Sequence, residues 1–399
     1  MEKSKRNYSL DFLKIIGAIV IVLHHFQATT RVKYDVPINF SGDWFNWGFF
    51  VELFFILSGY FMYRNIPAIQ EGSITLSDWW KKRAVRLLPM SAITVVVFSI
   101  ILFVNNALLG FKPLWGMEFS VWNTAIAALG IQEGWVFKNP VINNSIWYLS
   151  ALMLCYILFY IVTALSAKLK CKPTYFYIFI ILCGLGIGVF GIDKPFMNWQ
   201  IARGYYAFFF GLVFAAYLDK NGVRLREIIV SIVTIIFFTL LFILYPEYGS
   251  VNTNYLVTFF VFPAVVILFE TKLMHSIFRH KIWGTLSGIS FEVYLWHLPL
   301  MLLMYLIMNV TGWNPPFENM ASMYIFLGIT WVFATIMYFG VERPITKLLT
   351  RKKIKKTEEK TEEKIEETVE ETLEETLEEI VEETVEEKVE DSTEQISEN

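Results

Sequence analysis

The sequence predicts an all-α integral membrane protein of about ten transmembrane helices, both termini cytoplasmic, followed by a low-complexity acidic tail. Three observations carry that expectation. The 399 residues are 55% hydrophobic and only 18% charged, whereas a soluble domain carries about a quarter charged residues. Apolar stretches of bilayer length recur along the whole body. The charge is also segregated: from Thr357 onward 20 acidic residues and three lysines give −17, which leaves +14 on the 356 residues before. The overall net charge of −3 describes neither part. A soluble enzyme, a disulfide-bonded secreted scaffold and a collagen-like fibre are excluded.

A hydrocarbon core about 30 Å thick takes roughly 20 apolar residues per helix. Ten stretches qualify: 10–28, 47–64, 87–109, 147–166, 174–191, 203–218, 228–245, 254–270, 289–309 and 321–341. The apolar run Val121–Ile131 is too short to span and reads as interfacial or re-entrant. With the N-terminus inside, cytoplasmic segments hold 24 of the body's 31 lysines and arginines. The outer loops hold six (Arg31, Lys33, Lys112, Lys138, Lys194 and Arg203), and Lys14 lies within the first helix. This split follows the positive-inside rule, and one missed span would invert every later loop.

The expected organisation is a membrane domain over 1–350 and a basic-then-acidic cytoplasmic tail over 351–399. From Ile365 an apolar residue recurs every fourth position between glutamate pairs. That period winds around any helix it forms, and dense like charge favours a solvated chain. The tail reads as a soluble extension or an acidic docking arm. Cys155, Cys171 and Cys183 match no zinc or disulfide spacing. The residues after the first apolar stretch, Gln27 to Arg31, form no small-x-small cleavage site, so that stretch is expected to stay as a helix.

Ionisable side chains inside a bilayer cost a few kcal/mol each, which makes every one a candidate for function. Here they are Lys14, His24, His25, Glu52, Glu292 and His297. Lys14 and His25 are eleven residues apart, three helical turns plus about 20°, so they share one face about 16 Å apart. Glu52 enters on the second helix at a depth similar to His25. A histidine and a carboxylate at matched depth form either an oriented general base or a structural ion pair. Arg83 and Arg86, three apart at the start of the third helix, suit a phosphate or simply anchor the cytoplasmic end. His297 bonds helix backbone or lines a cavity; Glu292, about 140° round the same helix, does not share its face. No Walker A loop, GxGxxG turn, HExxH or GxSxG motif is present, and nothing points to a metal or to nucleic acid.

Six motifs in order resemble the acyltransferase-3 family of membrane O-acyltransferases. They are Tyr8-Ser9-Leu10-Asp11-Phe12-Leu13-Lys14 with His25 after ten residues; Gly48 to Tyr60; Arg83-x-x-Arg86-x-x-Pro89; Trp147-Tyr148-Leu149-Ser150; Tyr294-Leu295-x-His297-x-Pro299; and Glu342-x-Pro344. Two positions depart from the family pattern. Lys14 replaces an arginine, and Ala151-Leu152-Met153 stands where many members carry a glutamate. The resemblance is to the single-domain polysaccharide and enterobacterial-antigen acetyltransferase branch. It implies a multi-pass enzyme of the cell membrane that takes acyl-CoA, most simply acetyl-CoA, from the cytoplasm. Lys14, Arg83 and Arg86 would bind the donor phosphates. His25 would act as general base or transient acyl carrier, with Glu52 orienting it. Trp147, Tyr294 and His297 would line the cavity for a carbohydrate or lipid-linked sugar. An exporter of polysaccharide or lipid-linked sugar is the alternative left open by the intramembrane charges.

Overall fold

The computed structural model describes residues 6–34, 45–111, 117–135, 142–246, 254–317 and 319–350. The expected tail, 351–399, lies outside the described residues. Among the described residues the fold is helical and contains no β-strand. In chain order the main helices are α1 (Tyr8–Tyr34), α2 (Phe50–Met62), α3 (Leu76–Phe103), α4 (Val121–Ala128), α5 (Trp147–Lys168), α6 (Pro173–Phe190), α7 (Trp199–Asn221), α8 (Leu225–Leu244), α9 (Phe262–Phe269), α10 (Ile282–Thr311) and α11 (Met320–Met337). Eight of them, all except α2, α4 and α9, are long and apolar enough to cross a bilayer. This is an all-α integral membrane protein.

The other two expected spans fall on α2 and α9, which are shorter. Thirteen α-helical residues in α2 rise about 20 Å. The 3₁₀ turns Trp47–Phe49 and Tyr63–Asn65 flank it and add about 12 Å at their steeper rise. Together they match a core about 30 Å thick. Before α9 the helical course starts at Asn254 and passes through a π-helical turn at Val257–Val261. The short helix α4 exposes Val121 and Trp122, both at 72%, consistent with the interfacial position expected for this run.

Several helices begin earlier than hydropathy indicates, because polar caps start them. Thr75 Oγ1 accepts from Asp78 N–H at 3.1 Å, so α3 starts at Leu76 and the basic run Lys81–Arg86 is helical. Asn198 Oδ1 accepts from Ile201 N–H at 2.9 Å, so α7 starts at Trp199. Such caps satisfy orphan N–H groups of the first turn. One consequence is that Arg203, expected in an outer loop, lies a full turn inside α7.

At the centre, α7 packs against α2 on one side and α6 on the other, while α1 packs against α10 and α2. The α2–α7 seam is backbone against backbone. A Cβ on Gly59 would overlap the Phe208 carbonyl oxygen, and one on Gly211 would overlap the Ile56 carbonyl. Small residues permit this approach where lipid offers no hydrophobic drive between helices. The wide apolar faces of α6, α8 and α11 are exposed and suited to lipid. Gly211→Ala is expected to destabilise the detergent-solubilised protein by about 1–3 kcal/mol. Gly186→Ala, where nothing lies within 4 Å, should leave it unchanged. Thermal midpoints followed by size-exclusion recovery check the difference.

Candidate active site

The first turns of α1 and α3 and the last turns of α2 and α7 border a cavity of about 1470 Å³. Lys14, Arg83 and Arg86 all line it, so the structure brings the three expected cations around one cavity. Lys14 Nζ donates to Asp11 Oδ1 at 3.0 Å and sits 4.2 Å from the centroid of the Phe61 ring. Asp11 is buried and also accepts from Arg6 Nε at 2.5 Å and from the Ser287 hydroxyl at 3.1 Å. The Arg83 guanidinium stacks 3.1 Å over the Trp79 ring and donates to the Trp79 carbonyl at 3.2 Å. Its Nε is buried without a hydrogen-bond partner. Arg86 is exposed on the cavity rim.

The inner end of the cavity is aromatic. Phe54, Tyr148 and Tyr294 line it, with ring centroids 5.8–6.4 Å apart. The Tyr294 hydroxyl donates to the Ser145 carbonyl. Beyond these rings lies an imidazole pair: His297 Nε2 is 3.0 Å from His25 Nδ1, and the two rings are 4.9 Å apart. The His24 ring is 5.5 Å from that of His25 and lies against Gly48. Glu292, on another face of α10, accepts from Trp296 Nε1 at 2.9 Å.

The expected His25–Glu52 pair does not form, and this corrects the sequence-based reading. Glu52 is fully buried and both its oxygens are held by Arg203, Nε to Oε1 at 2.6 Å and Nη2 to Oε2 at 2.7 Å. Oε1 also accepts from the Tyr206 hydroxyl at 3.1 Å, and Asn254 Nδ2 donates to that hydroxyl at 2.6 Å. A buried carboxylate needs a counter-charge, and a guanidinium fork satisfies it better than a neutral imidazole. Trp147 lies against this ion pair, with Arg203 4.8 Å from its ring centroid. Of the three residues expected in a substrate cavity, Tyr294 lines the large cavity; Trp147 and His297 are not among its lining residues.

Arg203, Asp11 and Tyr206 are the polar residues that sequence reasoning passed over. Asn198 as a helix cap carried the signal for Arg203; Asp11 sat at the edge of an apolar stretch, and Tyr206 carried no signal of its own. Among the described residues no group of three or more His, Cys, Asp or Glu side chains converges as metal ligands.

The arrangement supplies a basic-walled chamber for an anionic molecule, an aromatic constriction, and an imidazole beyond it. The ion pair beside it holds α2 to α7. Glu52→Ala leaves the largely enclosed Arg203 guanidinium without its carboxylate and is expected to cost about 3 kcal/mol. The double variant Glu52→Leu/Arg203→Met should recover most of that loss; chemical-denaturation midpoints in detergent read both.

A family model for the acyltransferase-3 group, described as an acyltransferase domain, matches residues 7–340. No curated protein and no solved structure matches the chain. The matched span contains Lys14, His25, Glu52, Arg83, Arg203 and His297, and so the chamber, the imidazole pair and the ion pair all belong to the shared domain. With most of its length inside that span, the chain belongs to the acyltransferase-3 family and is a membrane acyltransferase.

Proposed function

We propose that the chain moves an acyl group, most simply acetyl, from cytoplasmic acyl-CoA to a hydroxyl of a cell-surface glycan or lipid-linked sugar in the cell membrane. The observation that carries this reading is the basic-walled cavity whose inner end lies next to the His25–His297 pair. At about 1470 Å³ the chamber exceeds the roughly 300–1,000 Å³ of common small-molecule sites. That is room for a nucleotide with a long arm. Arg83 lines the chamber, and a phosphate oxygen is the partner a guanidinium binds best. The positive-inside rule puts this wall on the cytoplasmic side, where acyl-CoA is available.

Along α1, Lys14 and His25 are about 16 Å apart, a distance that the extended pantetheine arm of CoA can cover. The thioester would pass Phe54, Tyr148 and Tyr294 to reach His25. There an imidazole takes the proton of the acceptor hydroxyl as its oxygen attacks the thioester carbon; the carbon–sulfur bond breaks and CoA leaves as the thiol. Glu52 then serves through Arg203, fixing α2 against α7 rather than orienting the imidazole.

Radiolabelled acetyl-CoA supplied to membranes tests the reading. Label in glycan or lipid-linked sugar is expected with wild type, and His25→Ala should lower the rate by about 10²- to 10⁴-fold. Equal labelling by the two would remove His25 from the chemistry. Arg83→Ala should raise KM for acyl-CoA about tenfold, the loss of one charge-assisted contact, while kcat falls less. An unchanged KM would make Arg83 a topology anchor alone.

A further inference from the structure

The hydrogen bonds around His297 assign a proton. His297 Nδ1 is 2.7 Å from the Tyr294 carbonyl oxygen, and its Nε2 is 3.0 Å from His25 Nδ1. A carbonyl oxygen only accepts, so His297 Nδ1 bears the hydrogen. In a neutral imidazole the second nitrogen is then an acceptor. The donor across the 3.0 Å bond is therefore His25 Nδ1–H, with the Ile21 carbonyl one turn back on α1 as a further acceptor beside the His25 ring, and the lone pair of His25 is assigned to Nε2. From this geometry, and resting on the acyl-transfer reading above, we propose that His297 is a positioning residue: it holds His25 in the Nδ1–H tautomer, with Nε2 as the base.

The surroundings of α10 are arranged for this. His297 is fully buried, so its ring is held by protein rather than by solvent. Its Nδ1 bond to the carbonyl three residues earlier fixes the ring's rotation. Pro299 has no N–H to give to the Leu295 carbonyl and so loosens the helix beside it. Carboxylates are committed elsewhere: Glu52 to Arg203 and Glu292 to Trp296. In a Ser-His-Asp triad a carboxylate accepts from the histidine Nδ1–H. Here a neutral imidazole takes that place, which avoids desolvating another charge inside the bilayer.

The proton balance closes. His25 Nε2 takes the hydroxyl proton while the oxygen bonds to the thioester carbon. The resulting imidazolium keeps its Nδ1–H on His297 Nε2, which stabilises it. As the carbon–sulfur bond breaks, the Nε2 proton passes to the departing sulfur. Ester and thiol leave, and both imidazoles return neutral in their starting tautomers.

Two measurements test the assignment. The first is kinetic and compares wild type, His297→Leu and His297→Gln, with His25→Asn alongside. His297→Leu removes the acceptor and should lower kcat about 100-fold or more, with KM for acyl-CoA unchanged because His297 is not among the residues lining the donor cavity. His297→Gln restores an acceptor oxygen and should recover about tenfold, the worth of one hydrogen bond. Full kcat in His297→Leu overturns the proposal. So do equal losses in both variants with a parallel rise in KM, which is the pattern of a packing role.

The second is independent of activity: solid-state nitrogen NMR of ¹⁵N-histidine-labelled protein in bilayers, where five histidines are present. The signal lost in His25→Asn should have a protonated Nδ1 and a bare Nε2. A lost signal with the proton on Nε2 overturns the assignment even if activity is intact. A wild type with the assigned tautomer but no label transfer instead removes the acyl-transfer reading, and the catalytic role of His297 with it.

Discussion

The cost of placing charge in a dry environment organises this protein. Glu52 has no exposed surface, and the structure meets that cost with two bonds from Arg203 and one from Tyr206. Because Glu52 is on α2 and Arg203 on α7, the same bonds fix the most intimate helix pair of the bundle. The requirement repeats at Asp11, which gathers Arg6, Lys14 and Ser287 and so ties the start of α1 to α10. Ionic groups are used as fasteners between helices.

The glycine seam complements those fasteners. Gly59 and Gly211 let the α2 and α7 backbones meet, which brings Glu52 within reach of the arginine. A wider seam would lengthen the ion pair and expose both partners to lipid. Close backbone approach and charge pairing are thus two halves of one solution, one steric and one electrostatic.

Much of this architecture was legible from residue types alone, for physical reasons. Hydrophobicity over bilayer lengths located the eight long helices, since burial in lipid imposes its own period. The grouping of Lys14, Arg83 and Arg86 was legible because charge asymmetry marks one end of each helix. Boundaries were less so: Asn198 starts α7 four residues before the apolar run does, and that shift hid Arg203 in a loop. Partner choice was not legible at all. His25 and His297 are 272 positions apart, and no periodicity within one helix reports which distant helix faces it. Matching depth alone therefore gave Glu52 to His25, when the guanidinium on α7 had the stronger claim.

The aromatic layer of Phe54, Tyr148 and Tyr294 has one more consequence. A catalyst that draws its donor from one compartment and its acceptor from another is threaded by a conduit through an energised membrane. Three rings in contact, with the two tyrosine hydroxyls already engaged by Ser58 and by the Ser145 carbonyl, stand between the basic chamber and the imidazoles. On the acyl-transfer reading, this layer works as electrical insulation: a slender thioester arm can pass, while protons driven by the membrane potential find no wire.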